Sequence, residues 1–201
     1  MSPAHVLEPT YDTLRRRLLM GAWPAGQRLE AARLAADLGV SITPVRDSLN
    51  RLTGERLIVS QPGDGFHVPR LDEAGLRGLL DWHHAIVTMA LGRERAGRPD
   101  EFQLTGGDLP ERSAHLFASL VARARDEELD WAIENAAARL GRFRHHEAAV
   151  LAEADKDVGA IERMMDEADS PGLRAAIDYH HDRRRSAVDQ LIAASRGGQI
   201  I

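Results

Sequence analysis

A chain of 201 residues, 43% hydrophobic, can bury a real core in one or two domains, and its lack of cysteine excludes disulfides and thiolate chemistry. It shows neither a basic-then-apolar leader nor an apolar run near the ~20 residues of a bilayer span, so the expected location is the cytoplasm, with no membrane partner. The net charge of −5 is uneven: residues 1–70 hold nine Arg and seven acids, +2, which leaves −7 for the remainder, so the global sign does not exclude a basic face for phosphate.

Taken in order, residues 6–20 predict a helix, with Val6, Leu7, Leu14, Leu18 and Leu19 apolar and Tyr11 beside them. Arg15-Arg16-Arg17 falls on and beside its exposed side, which suits a solvated face and a phosphate contact equally. Residues 21–26 end this helix. The next helix covers residues 31–38, with Leu34, Ala35 and Leu38 at helical spacing. Gly39-Val40-Ser41 is a tight break: Gly reaches positive φ at low cost, and Ser41 or Thr43 can cap the helix beyond it. Residues 43–54 form that second helix, with Val45, Leu49 and Leu52 on one stripe and Pro44 near its first position. Residues 57–60 and 66–68 read as short strands around the turn Gln61-Pro62-Gly63-Asp64-Gly65. Helix, turn, helix and hairpin make a winged helix-turn-helix over residues 1–70.

Pro69-Arg70-Leu71-Asp72 reads as a linker, with Asp72 as an N-cap. Helical periodicity then covers residues 73–96, 109–125, 127–143, 147–154, 158–168 and 172–194, with a Gly- and Pro-containing break over 97–107. No strand-like alternation or repeat interrupts it. The expected fold is therefore mostly α: an N-terminal winged helix-turn-helix and a C-terminal all-α bundle of about six helices over residues 71–201.

The run Leu34-Ala35…Leu38-Gly39-Val40-Ser41-x-Thr43-Pro44-Val45-Arg46-x-x-Leu49-x-x-Leu52 resembles the DNA-binding signature of the GntR family of bacterial regulators. Gly21-x-Trp23-x-x-Gly26-x-x-Leu29 is similar to the linker that precedes it in that family. The resemblance covers the first third of the chain and implies double-stranded DNA as partner. It places Arg33, Ser41, Thr43, Pro44, Arg46 and Arg51 at the DNA through the two helices, and Gly63 and Gly65 through the wing. Arg46 points away from the apolar stripe, where a guanidinium can grip guanine through two parallel hydrogen bonds. Asn50 and Arg51 lie further along, at the periphery. Two departures stand out. Ile42 occupies a place where relatives carry Arg, and Arg56 one where they carry Gly. Asp64, which phosphate would repel, is expected to point outward.

The helical half resembles the FadR/FCD branch, through Leu116-Phe117…Leu129 and the closing helix with His180. That branch often holds a metal on an Asp, then three His. Aligned on Phe117 and on the last helix, those four slots fall on Ala114, Ala118, Val158 and His180. A divalent site needs about three good donors, so no metal and no cofactor is expected. An alternative is a metal-dependent sensor or enzyme built on Glu111 and His115, one turn apart, with His145, His146 and His181. No nucleophile motif or phosphate-cradling loop supports catalysis. The resemblance implies an effector-responsive repressor, a homodimer on a near-palindromic operator. Its effector is expected to be a small molecule such as a carboxylate, with Arg139, Arg142 and His180 as candidates to hold it.

Overall fold

Apolar residues every three or four positions, punctuated by Gly, build three helices and a small sheet in the first seventy residues. The computed structural model describes residues 4–93, 107–166 and 170–197. Its first elements are α1 (Ala4–Leu19), β1 (Arg28–Leu29), α2 (Ala31–Leu38), α3 (Ile42–Gly54), β2 (Val59–Gln61) and β3 (Gly65–His67). Leu14, Leu34, Val45, Leu49, Leu52 and Ile58 are buried and bring α1 and α2 onto α3. Gly39 ends α2 in the left-handed region at φ 67°, and its N–H closes on the last turn.

The sheet is antiparallel in the order β1-β3-β2. Its register pairs Leu29 with Phe66 and Ser60 with Phe66 across the two ladders. Strand β1 was not expected: two residues are too few to show alternation, and only pairing with β3 makes them a strand. The hairpin strands also differ from the expected spans: β2 starts two residues later and ends one later, and β3 lies one residue earlier. Ser41 occupies the N-cap position of α3 in extended geometry, yet its side chain makes no capping hydrogen bond.

The described residues fall into two compact units: the first takes residues up to Arg70 together with those from Arg196, and the second runs Leu71–Ser195. The second unit is built by α4 (Glu73–Leu91), α5 (Leu109–Ala122), α6 (Glu127–Val150), α7 (Ala154–Asp166), α8 (Ser170–Ser186) and α9 (Val188–Gly197). Its core includes Leu76, Leu80, Phe117, Leu120, Ile133, Leu140, Ile161, Ile177 and Leu191. Asp72, Asp108 and Asp126 cap α4, α5 and α6: their carboxylates accept from the N–H groups of Gly75, Glu111 and both Glu128 and Leu129.

Helix α4 ends at Leu91, α5 ends at Ala122 and α7 begins at Ala154, each a few residues from expectation, and two differences go further. The spans 127–143 and 147–154 are one helix as far as Val150, because nothing between them breaks it: Arg144-His145-His146 lacks Gly and Pro, and the buried stripe continues through Arg144 and Glu147. The span 172–194 is instead two helices that meet at Ala187, with no Gly or Pro to mark the join. The expected break at 97–107 lies, apart from Gly107, outside the described residues, as do 94–96 and 167–168 of the expected helices.

Candidate nucleic-acid interface and a buried polar cluster

Burial of Val45, Ser48, Leu49 and Leu52 fixes which way α3 faces. Ser48 is tied inward, its Oγ donating to the carbonyl of Pro44 at 2.7 Å. The opposite face is then Thr43, Arg46, Asp47 and Asn50, all exposed and one to two turns apart. Among the described residues no side-chain partner is recorded for Arg46, nor for Arg33 on the exposed side of α2. The free hydroxyl of Ser41 stands at the start of α3, and Pro44 is half-buried in its first turn.

Arg51 is differently placed. Its Nη1 donates to the Glu8 carboxylate at 3.0 and 3.1 Å, its Nε lies 3.5 Å from Glu55, and its guanidinium sits 3.7 Å over the Tyr11 ring. Tyr11 itself donates to Glu55 at 2.7 Å. Burial first, then this hydrogen bond, pushes the Tyr11 hydroxyl up to about 12. Arg51 is thus engaged in joining α3 to α1. No short-range pattern could have shown it, since Glu8 is 43 residues away.

In the wing, Gly63 and Gly65 hold φ of 79° and 88°. Asp64 is exposed, as expected, and its carboxylate lies 3.2 Å from His67 Nε2 and 3.9 Å from the Arg28 guanidinium. Arg56, exposed between α3 and β2, adopts φ 58°, a left-handed conformation that explains why a Gly suits this place.

The second unit holds a different kind of site. His83 on α4 and His180 and His181 on α8 are buried around the ring of Phe117 on α5, at centroid distances of 4.7, 5.0 and 5.5 Å. The hydrogen bonds fix two protonation states. His181 Nδ1 faces only the carbonyl of Ile177, at 2.8 Å, so it carries the proton and its Nε2 accepts. His83 Nδ1 then donates to that Nε2 at 2.9 Å, and His83 Nε2 accepts from Arg144 Nη2 at 3.0 Å. Both rings are therefore neutral. Burial, reinforced by Arg144 and Arg184, holds His83 and His180 well below the usual histidine range, and burial pushes His181 down to about 3. Burial likewise lowers Arg144 to about 10, still protonated at neutral pH.

Beside this chain, Arg184 donates to Glu147 at 2.6 Å and to Asp157 at 3.1 Å, and Arg183 donates to Asp157 at 2.7 Å. Three arginines thus face two carboxylates. Of the effector candidates, the structure puts His180 in this cluster. Arg142 lies 5.7 Å over Phe143, half-buried, and burial lowers its pKa; Arg139 is half-buried on the same helix. Arg144, His83 and Ser113 escaped the sequence reading. The available signal was a polar residue on an inward stripe: His83 among Leu79, Leu80, Ile86 and Val87, and Arg144 after Leu140. Among the described residues no group of three or more His, Asp or Glu is placed to hold a metal ion. Of the alternative set, His181 has both ring nitrogens engaged.

Residues 8–68 match the family described as bacterial regulatory proteins, gntR family, a family of regulators and not of enzymes. The HTH-type transcriptional regulator McbR of Escherichia coli (strain K12) is 42% identical over 80 residues, which is 40% of this chain and 36% of that protein. The aligned stretch thus spans little more than a third of that relative's length. Among solved structures, E. coli McbR/YncC superposes with a TM-score of 0.63 at 22% identity, covering 92% of this chain and 97% of that one. A structure from Rhodococcus sp. RHA1, titled as a transcriptional regulator GntR, superposes with a TM-score of 0.71 at 15% identity, covering 94% and 99%. At these identities the two structures speak for the fold, through the helical half as well as the winged one. Residues 8–68 are a winged helix-turn-helix domain of the GntR family, followed in this chain by a helical domain.

Proposed function

We propose that the chain is a cytoplasmic, sequence-specific transcriptional repressor that binds a near-palindromic operator as a homodimer and responds to a small-molecule effector. Residues 1–70 bind DNA; residues 71–201 dimerise and hold the effector. The observation that carries this reading is the outward face of α3. Thr43, Arg46 and Asn50 stand exposed on a helix whose other side is locked into a core, and among the described residues Arg46 has no side-chain partner to give up. Arg reads guanine, Asn reads adenine and the Thr methyl meets thymine, so this face has the chemistry of base readout. Arg33, Ser41 and the wing glycines Gly63 and Gly65 are assigned to the backbone around it, with Pro44 setting the helix start.

Dimerisation is assigned to the outer face of α4. Ala74, Gly78, Trp82, Ala85 and Met89 form one exposed stripe at helical spacing, with Trp82 48% and Met89 43% exposed. A stripe of small residues flanking one Trp suits close approach of a second copy.

The effector is expected in the bundle, with Arg139, Arg142 and His180 as its candidate ligands. Selection of bound sequences from a random duplex library tests the DNA half. The wild-type chain should enrich a two-fold motif with half-sites about one helical turn apart, and Arg46→Ala should lose one base preference in each half. Enrichment of no motif would reject the reading.

A further inference from the structure

The metal that the FadR/FCD resemblance implies does not fit the residues around His180. Three of the four slots are Ala114, Ala118 and Val158, which offer no ligand atom, and the neighbours of His180 are cationic: Arg144 and Arg184 both act on its ring. A divalent cation would meet one imidazole nitrogen and a positive field. The polar groups there are of the opposite kind. Among the described residues, Ser113 Oγ, Arg144 Nη1 and His180 Nδ1 are buried without a hydrogen-bond partner, on α5, α6 and α8. Ser113 and Phe117 are one turn apart on α5, Arg144 holds His83, and His83 and His180 both touch the Phe117 ring. A buried polar group left unmade costs roughly 1–3 kcal/mol, more when charged, so Arg144 Nη1 and the Ser113 hydroxyl call for an acceptor, to which the His180 ring can donate from Nδ1 in the matching tautomer. The surrounding charges leave one positive charge over: Arg144, Arg183 and Arg184 against Glu147 and Asp157. Glu147 and Asp157 are already taken by Arg184 and Arg183.

We infer that Ser113, Arg144 and His180 form a metal-independent site for a small oxyanion, a carboxylate or phosphate group that accepts from the Ser113 hydroxyl, the free Arg144 Nη1 and the His180 ring. This deepens the effector half of the proposed function and rests on it only for its regulatory consequence. The neutral His83–His181 relay has a part in it. Because its last proton points at the Ile177 carbonyl, the relay holds Arg144 Nη2 without cancelling its charge, and leaves Nη1 for the ligand. The site differs from the sequence-based set in its arginine: Arg144 in place of Arg139 and Arg142.

The test uses the full chain, dialysed against chelator, with no DNA. Melting temperature is followed against sodium acetate, sodium succinate and sodium phosphate, with sodium chloride at matched ionic strength as the reference. Zinc and manganese are run separately. At least one oxyanion should raise the melting temperature saturably above the chloride reference, the preferred one telling carboxylate from phosphate, and neither metal should do so. Arg144→Met should abolish the rise. If that variant does not fold, Ser113→Ala decides: it removes a hydroxyl that bonds nothing else and should weaken apparent affinity about tenfold without lowering the ligand-free melting temperature. The inference is overturned by the absence of a saturable rise with all three oxyanions, by a rise that survives in the variants, or by a rise that requires zinc or manganese. None of these results bears on Arg46 and DNA, so the two halves of the proposed function fail separately.

Discussion

Arg46 and Arg51 are five residues apart on α3, and only Arg51 is tied to α1. Among the described residues Arg46 has no side-chain partner, and Ile42 brings no polar atom to the helix start. Arg46→Ala should therefore weaken operator binding by about 1–3 kcal/mol per half-site and relax one base pair, while Arg46→Lys restores the charge but not the specificity. Titrations of operator and one-base variants at two salt concentrations check this; an equal loss on all sequences would mean a phosphate contact instead. Arg51→Ala should act on stability, by roughly 0.5–1 kcal/mol because the pair with Glu8 is half exposed, and leave base preference unchanged. Arg46 was legible in the sequence because its position opposite Val45, Leu49 and Leu52 is set by helical spacing alone. The engagement of Arg51 was not, since it depends on where α1 packs. Arg56 shows the same limit from the other side: its difference from relatives was visible, and its φ of 58° gives the reason. Arg56→Gly should stabilise the first unit by about 0.5–1 kcal/mol, the left-handed strain relieved less the backbone entropy of Gly, as a higher urea midpoint would report.

At the scale of elements, local signals sufficed where a Gly, a cap or a long apolar stripe was present. Gly39, the cap Asp72 and helices α3 to α5 were readable for that reason. They failed where tertiary contact decides. The two-residue strand β1 exists only by pairing with β3. The join at Ala187 carries no breaker. The continuation of α6 through Arg144 to Val150 was hidden because Arg, His and Glu on a stripe look like a helix end, whereas here Arg144 and Glu147 are buried against α4 and α8. That one boundary concealed the polar cluster. Its structural weight falls on Arg184, the buried cation that joins α8 to α6 and α7 through Glu147 and Asp157. Arg184→Met leaves Glu147 buried against a thioether, while Asp157 keeps Arg183, so it should destabilise the second unit by about 3–5 kcal/mol. Urea unfolding of the variant measures this, and a loss below about 1 kcal/mol would show that the pairs are solvated.

For the whole molecule, the charge is divided, basic over residues 1–70 and acidic beyond, which suits one half meeting phosphate and the other meeting protein or ligand. The helical half also fixes how stability depends on pH. His83, His180 and His181 are buried and stay neutral, because burial comes first and Arg144, Arg184 and Arg185 add positive charge around them. Their pKa values are depressed in the folded state, while in the unfolded chain each returns to about 6.5. Below that pH the unfolded chain takes up protons that the folded one refuses, so stability falls as pH falls, at up to about 1.4 kcal/mol per pH unit for each histidine. Three such groups predict a loss of about 4 kcal/mol between about pH 7.5 and 5.5, a window that closes before most carboxylates titrate. Above about pH 7.5 the curve should be flat. His181→Gln should remove about a third of the slope, since Gln cannot take up the proton in the unfolded chain. Urea unfolding at about pH 7.5, 6.5 and 5.5, at one protein concentration, measures both. A stability that stays constant down to about pH 5.5 would mean that these rings already carry protons in the folded chain, and the neutral relay from Arg144 to the Ile177 carbonyl would have to be abandoned with it.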